Sequence, residues 1–211
     1  MNLDAHRILP ALKDMARRAG MIAVLHLTHS SPTLKPDQSV LTYSDQAISK
    51  YLREELSKIS QGIPHLIIDE EDESRAAVSD QRRLESVPYL WAVDPIDGTR
   101  LYANQMPHYG ISIGLLKELK PWLGIVYFPS LRELFYCDGE RSFFVRNVFT
   151  AEESVQPILP VEQDISAQSI FLCPDNFFEH FEWHSDDCHI VIPASAVVDL
   201  CWPAIGRGWG V

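Results

Sequence analysis

The sequence predicts an α/β fold, in which helices pack on a β-sheet whose strands are largely buried. Two stretches near the N-terminus repeat apolar residues every three or four positions, as amphipathic helices do, at residues 8–26 and 44–59. Short apolar runs bounded by turn residues follow, as strands require. The last third of the chain then alternates strand-like and helix-like runs, which is typical of α/β units.

The predicted strands of the main sheet lie in the middle of the chain, at residues 66–68, 89–93, 110–116, 122–128 and 132–137. Several have no polar face, as strands covered on both sides do. Two more strands and two helices follow, at residues 169–173, 189–192, 175–181 and 196–205. Ser195 is the expected cap of the last helix, and Thr150 with Glu153 has the spacing of a capping box. We therefore expect an α+β unit over residues 1–148 and a shorter α/β unit over residues 149–211.

Composition and charge exclude several classes of protein. Of the 211 residues 46% are hydrophobic, which suits a globular core and excludes an intrinsically disordered chain. Because 18 Lys and Arg stand against 29 Asp and Glu, the net charge of −11 disfavours a nucleic acid partner, whose phosphates need clustered cations. A phosphate ligand would have to bring a cation with it.

The chain carries no sign of a membrane or of export. No apolar run approaches the roughly 20 residues of a membrane span, and residues 1–18 lack a signal-peptide core. The four cysteines are scattered without a CxxC pair, so free thiols in a reducing compartment are expected. We expect a cytoplasmic protein with no membrane partner.

The most informative segment is residues 91–99, Trp-Ala-Val-Asp-Pro-Ile-Asp-Gly-Thr. A buried strand delivers Asp94 at its carboxyl end, where open α/β sheets place their ligands. Pro95 holds Asp94 extended, and Asp97 projects from the same turn. Gly98 permits a tight path into a helix whose first N–H groups can receive a phosphate. Two carboxylates beside a phosphate seat suit Mg2+.

A second acidic group, residues 69–73, directly follows the strand at 66–68. Taken alone, five acids in a row are typical of a solvated loop. Their place after a buried strand, parallel to that of Asp94, instead favours a shared site. Like charges this close repel one another unless a cation relieves them, and two such groups could hold a pair of metals about 3.5 to 4 Å apart.

Residues 91–99, continued through Tyr102 and Asn104, resemble the signature of the inositol monophosphatase family of lithium-sensitive, magnesium-dependent phosphatases. Further similar motifs occur in the family's order, at residues 67–71, at Lys35, Ser39, 41–42 and 45–46, at 110–114, 124–127 and 194–201, and at 206–207. The resemblance covers most of the chain and implies a layered αβαβα sandwich.

The resemblance also implies a role for each matching residue. Glu70, Asp94 and the carbonyl of Ile96 would hold a first Mg2+. Asp94 and Asp97 would hold a second, and Glu71 would help a third through water.

The remaining matches concern the substrate. Thr99, oriented by Asp45, would position the attacking water together with Glu70. The phosphate and substrate would be bound at Gly98, Thr99, Ala194, Ser195 and Ala196.

Some positions depart from the family pattern. Asp69 and Ala194 each stand where a glycine is usual, and Leu101 replaces an asparagine-like residue. The family's later Trp-Asp dipeptide, whose aspartate completes the second metal site, has no counterpart before Val211. From these departures we expect a shortened C-terminal part and a weakened second Mg2+ site. Asp199 is not expected to replace the missing aspartate, because the resemblance places it on the helix after Ser195.

The function that the resemblance implies is hydrolysis of a small polyol or sugar phosphate by water that a metal activates, with inositol monophosphate as the default substrate. A 3′-phosphoadenosine 5′-phosphate nucleotidase, a fructose-1,6-bisphosphatase and a histidinol phosphatase of the same family remain open. From another class, a weakened binding or regulatory homologue also remains open. We expect a homodimer that binds a small phosphorylated metabolite.

A cluster of His180, His184 and Cys188 is a weaker signal, since histidines four residues apart can bind zinc. Four aromatic residues lie among them, so surface and boundary histidines on a packed helix are the favoured interpretation.

Overall fold

The computed structural model describes residues 2–28, 32–35, 40–71, 81–162, 164–184 and 188–210. Three residues that the sequence analysis singled out, Ser39, Asp72 and Glu73, lie outside these ranges.

Helices and strands alternate along the chain. The helices are α1 (Ala5–His26), α2 (Tyr43–Ile59), α3 (Gln81–Glu85), α4 (Thr99–Ala103), α5 (Phe177–His180) and α6 (Ala196–Cys201). The strands of the large sheet are β3 (His65–Asp69), β4 (Tyr89–Asp97), β5 (Gly110–Lys117), β6 (Lys120–Phe128), β7 (Glu133–Cys137), β8 (Ser142–Arg146) and β9 (Ser154–Pro157). The short strands are β1 (Thr33–Leu34), β2 (Val40–Leu41), β10 (Ile170–Leu172), β11 (His189–Val191) and β12 (Trp209–Gly210).

The large sheet has seven strands in sequence order, from β3 to β9. β3 and β4 are parallel, and each later strand is antiparallel to the one before it, so the sheet is mixed. A separate parallel sheet has the order β11-β10-β12, and β1 pairs with β2. This arrangement confirms the predicted α/β class. Strand β9 extends the large sheet past residue 148, and the domain boundary proposed there stays a prediction.

Helices cover both faces of the large sheet. One face packs against α1 and α2, whose buried residues recur every three or four positions along each helix, as the apolar spacing predicted. The other face carries Phe128, Phe135 and Phe144, which contact Val197 and Val198 of α6. Because Gly210 of β12 in turn lies against the backbone of α6, this helix stands between the two sheets.

Three local predictions differ from the structure. α5 has only four residues, and α6 stops at Cys201 and continues as a 3₁₀ turn, since Pro203 cannot donate a helical hydrogen bond. Thr150 and Glu153 form a turn rather than a helix start, because the Glu153 carboxylate accepts from the N–H of Phe149 and not from that of Thr150. Among the described residues, no helix is long and apolar enough to span a bilayer.

The contact between α1 and the sheet can be tested at Gly20, which is buried in the interior of α1. A Cβ atom there would lie 2.3 Å from Cε1 of Tyr127. We expect Gly20→Ala to lower the free energy of unfolding by about 1 to 3 kcal/mol, although alanine favours a helix by about 1 kcal/mol. Gly124→Ala, whose Cβ would meet nothing within 4 Å, is the control. Urea denaturation of both variants measures the difference, and an unchanged Gly20→Ala would refute the close packing.

Candidate active site

The pairing of β3 with β4 places two acidic residues side by side. Asp69 is opposite Val93 in the parallel register, and the N–H of Glu70 donates to the carbonyl of Val93 at 3.2 Å. Glu70 and Asp94 are each the next residue after this pair, so they lie side by side where the parallel pairing ends. β4 itself continues to Asp97, past the predicted end at residue 93, and Asp94 pairs with Ser112 of β5. The predicted meeting of the two strand-end acid groups is therefore present in the backbone.

An irregularity in β4 after Asp94 brings Asp97 into the same cavity. The Asp94 carboxylate accepts from the N–H of Ile96 at 3.1 Å, and the pairing with β5 shifts register between Asp94 and Asp97. Gly98 follows with φ of 80°, in the left-handed region that glycine adopts at least cost. A Cβ at Gly98 would lie 3.2 Å from Cβ of Ser195, so the missing side chain also lets α6 approach.

The start of α6 completes this approach. The Ser195 hydroxyl and the N–H of Val197 both donate to the Asp97 carboxylate, the latter at 3.3 Å. Ala194, just before the helix, has φ of 55°, which explains why a glycine would be the easier residue at this position. Residues 194–196 thus reach the strand-end acids through Asp97.

A cavity of about 290 Å³ lies between these elements. Its lining includes most of the predicted site residues, namely Glu70, Asp94, Ile96, Asp97, Gly98, Thr99, Ala194, Ser195 and Ala196. A larger, mostly apolar cavity of about 650 Å³ shares Glu70 and Asp94 with it, but the polar groups needed for phosphate chemistry line the smaller one.

Two further acids, Asp175 and Asp199, line this cavity. The sequence predicts no role for Asp175. It correctly places Asp199 on the helix after Ser195, but away from the strand-end acids, whereas Asp199 lines the same cavity as they do. Asp199 lies one helical turn after Ser195, a spacing that puts both side chains on one face of α6 and that the sequence contains. Its Oδ1 is buried without a hydrogen-bond partner among the described residues. Asp175 comes from the segment before α5, and no local pattern connects it to Asp97.

Asp45 lies beneath the cavity rather than in its lining. Its carboxylate is fully buried and accepts from the N–H of Thr42 at 2.7 Å and from the Thr42 hydroxyl. The Thr99 hydroxyl lies 2.9 Å from the carbonyl of Ile96 and 3.4 Å from Oδ1 of Asp45. The predicted proximity of Thr99 and Asp45 is present, with the carbonyl as the nearer acceptor.

Glu71 is directed away from the cavity. Its side chain is only 6% exposed, and its Oε1 accepts from Nζ of Lys35 at 2.8 Å. The same ammonium group lies 3.8 Å from the carboxylate of Glu70. A side-chain cation therefore already neutralises Glu71, and a third ion there stays a prediction.

Burial and mutual repulsion oppose ionisation of the central acids. Desolvation, and then the charges of Glu70 and Asp97, raise the pKa of Asp94 to about 9. Burial also raises the pKa of Asp97, although the hydrogen bond from Ser195 lowers it in part. Burial raises the pKa of Asp199 to about 6. A divalent cation would reverse these shifts, because it favours the ionised form of every carboxylate around it.

The donor set fits Mg2+. Glu70, Asp94 and Asp97 offer carboxylate oxygens to one cavity, and such oxygens are the ligands that Mg2+ prefers. Within the described ranges, no three His, Cys, Asp or Glu side chains already meet at ligand distance. Since the backbone positions are adjacent, rotation of the side chains would bring their oxygens onto one ion.

The histidine cluster gains no support as a zinc site. His180 and His184 are exposed, Cys188 is buried, and the part of the chain that the structure describes contains no convergent set of three metal-binding side chains. Cys137, Cys173 and Cys201 carry free thiols.

Known proteins with similar sequences cover most of the chain. The model of the inositol monophosphatase family matches residues 4–209. The 3'(2'),5'-bisphosphate nucleotidase CysQ of Aggregatibacter actinomycetemcomitans is 27% identical over 131 residues, 62% of this chain and 46% of that protein. The fructose-1,6-bisphosphatase/inositol-1-monophosphatase of Aquifex aeolicus is 27% identical over 182 residues, 82% of this chain and 62% of that protein. The chain thus spans less than two thirds of the length of either relative.

Solved structures share the fold. An IMPase of Thermotoga maritima superposes with a TM-score of 0.71 at 22% identity, over 96% of this chain and 73% of that one. An IMPase/NADP phosphatase complexed with NADP and Ca2+ superposes with a TM-score of 0.73 at 19% identity, over 99% of this chain and 75% of that one.

The raised pKa values predict how stability depends on pH. Between its ordinary value of 3.8 and about 9, Asp94 holds a proton in the folded protein that the unfolded chain releases. Without divalent ions, the free energy of unfolding should therefore fall as the pH rises from 5 to 9. The fall should be shallower in Asp94→Asn, which has no proton to lose. Urea denaturation in chelator at three pH values measures both slopes, and a wild-type stability that rises over this interval would contradict the burial of these acids.

Proposed function

Because the chain belongs to the inositol monophosphatase family, we propose that it is a Mg2+-dependent phosphomonoesterase that acts on a small phosphorylated metabolite. The observation that carries the proposal is the single cavity where Glu70, Asp94 and Asp97 meet the backbone of Gly98 and Thr99. Carboxylates there suit the cation, and the first N–H groups of a helix have no partners within it and suit a phosphate.

Bound Mg2+ would neutralise charge on the phosphoryl group and make a water molecule more acidic. The chain's own residues would do the rest. The Thr99 hydroxyl, between Asp45 and the carbonyl of Ile96, would orient the attacking water. Glu70, with 35% of its side chain exposed, would accept the proton of that water. Backbone N–H groups at Gly98 and Thr99 would hold the phosphate in line.

The other wall of the cavity favours an alcohol with several hydroxyl groups. Asp175 and Asp199 line the cavity there and could accept hydrogen bonds, since the buried Oδ1 of Asp199 lacks a donor within the described residues. A buried acceptor without a partner costs about 1 to 3 kcal/mol, which a substrate hydroxyl would recover. We therefore favour a small polyol or sugar phosphate, with inositol monophosphate as the first candidate.

Names of related proteins widen the set of substrates to test. Sequence relatives include a 3'(2'),5'-bisphosphate nucleotidase and a fructose-1,6-bisphosphatase/inositol-1-monophosphatase. Structural neighbours include a 2'AMP-bound enzyme and an NADP phosphatase. Adenosine 3′,5′-bisphosphate, fructose 1,6-bisphosphate and histidinol phosphate therefore belong in the panel. The homodimer and the weaker second cation site remain predictions.

Phosphate release from this panel with Mg2+ tests the proposed function. We expect activity that chelator abolishes. Asp94→Asn should also lose this activity, because the Asp94 carboxylate would bind the cation. Asp14→Asn, an exposed aspartate on α1, is the matched control and should keep full activity. Activity that survives excess chelator would exclude the metal mechanism, and a protein with no activity on any ester would favour a binding homologue.

The role of Thr99 can be tested separately. We expect Thr99→Ala to lower kcat roughly 100-fold with little change in Mg2+ affinity, since its hydroxyl would orient the water and bind no ion. Thr99→Ser, which keeps the hydroxyl, should recover most of the rate. The control is Thr33→Ala, on the exposed strand β1. If Thr99→Ala keeps its full rate, Thr99 only shapes the start of α4.

A further inference from the structure

We propose that Asp69, which lies directly before the two glutamates, is a positioning residue for cation binding. Its side chain connects the backbone of Glu70 and Glu71 to helix α2 and so holds these two residues in place. The proposal rests on the proposed function, because it assigns to Asp69 an effect on the affinity of the same Mg2+ site. It concerns a residue that lies outside the cavity and does not touch the ion.

Asp69 is a buried carboxylate with two neutral partners. Only 1% of the residue is exposed, and burying a carboxylate is costly unless its oxygens are satisfied. Oδ2 accepts from the hydroxyl of Ser49 at 2.5 Å, and Oδ1 accepts from the N–H of Glu71 at 2.9 Å. Within the described part of the chain, no Lys, Arg or His forms an ion pair with it. The two hydrogen bonds therefore fix the position of the Asp69 side chain.

These two bonds connect the acidic turn to a helix. Ser49 belongs to α2 and is itself buried, whereas Glu71 ends the turn that presents Glu70. The carboxylate of Asp69 thus ties the backbone after β3 to α2. A glycine in its place could make neither bond.

The same face of α2 supports the other half of the site. Asp45 precedes Ser49 by four residues, so the two side chains point the same way from the helix. Asp45 lies against Thr99 at the start of α4, and Ser49 holds Asp69 at the end of β3. One turn of α2 therefore sets the distance between the turn that carries Glu70 and the helix start that carries Thr99.

Hydrogen bonding and charge can be separated at Asp69. Asparagine keeps an acceptor for the N–H of Glu71, and its amide can donate to the Ser49 hydroxyl, which accepts as well as donates. Asp69→Asn therefore retains both connections and removes the charge. Asp69→Ala removes both connections, and Ser49→Ala removes the connection to α2 alone.

The test is Mg2+ titration by calorimetry, together with urea denaturation in chelator. We expect Asp69→Ala to bind Mg2+ about 10 to 100 times more weakly, which is the usual effect of losing a residue that orients a metal ligand. Ser49→Ala should fall between Asp69→Ala and wild type, and Asp69→Asn should bind within about threefold of wild type, as hydrogen-bonded positioning requires. With activity measured, the Mg2+ concentration for half-maximal rate should rise more than kcat falls.

Ser60→Ala is the matched control. Ser60 is another buried serine at the end of α2, and it accepts from Nε1 of Trp91 at 2.9 Å. This variant should lose stability and keep its Mg2+ affinity.

Each outcome distinguishes the two proposals. If wild type binds Mg2+ and the folded Asp69→Ala binds it equally well, the positioning role is wrong and the proposed function stands. If Asp69→Ala does not fold, Ser49→Ala decides, and wild-type affinity in that variant overturns the role. If Asp69→Asn binds as weakly as Asp69→Ala, charge and not position is responsible, which also overturns it. A wild-type protein that binds no Mg2+ contradicts the proposed function, and the positioning role fails with it.

Discussion

The parallel register of two neighbouring strands is the constraint on which the rest of the site depends. Because Asp69 pairs with Val93, the chain places Glu70 and Asp94 next to each other where the parallel pairing ends. A shift of one residue would turn one of these side chains to the other face. The buried apolar side chains of β4, including Trp91, oppose such a shift, since it would expose them.

This register brings like charges together in a partly buried place, and neighbouring elements offset part of the repulsion. Ser195 and the start of α6 donate to Asp97, and Lys35 neutralises Glu71. The Asp94 carboxylate accepts from the N–H of Ile96 and shares a hydrogen bond with the Glu70 side chain, and its pKa is raised to about 9. The strongest unrelieved repulsion thus lies where the proposed cation would bind. The repulsion between these acids lowers the stability of the folded protein, as is common at functional sites.

Much of this site can be predicted from the sequence because its signals are local. An apolar run that stops at acids places Glu70 directly after β3 and Asp94 after the apolar part of β4, although β4 itself continues to Asp97. The short Asp-Gly-Thr sequence marks the turn into α4. Ser195 is a recognisable cap, which places residues 194–196 at a helix start. The class of the fold follows from the two periodicities of the apolar residues.

The remaining features depend on contacts between distant segments. Asp199 joins the cavity because α6 packs on Phe128 and its neighbours, and no local spacing places Asp175 there. The bonds from Asp69 to Ser49 and from Glu71 to Lys35 span 20 and 36 residues. The predicted capping box at Thr150 is wrong, because the Glu153 carboxylate accepts from the N–H of Phe149 instead.

The central claim is that the strand-end acids of β3 and β4 form one cation site. Crystals soaked in Mn2+, whose anomalous scattering locates the ion, test this claim most directly. We expect a peak in the cavity of about 290 Å³, within bonding distance of carboxylate oxygens from both Glu70 and Asp94. A peak that contacts only one of these strands, or no peak in this cavity at millimolar Mn2+, would contradict it.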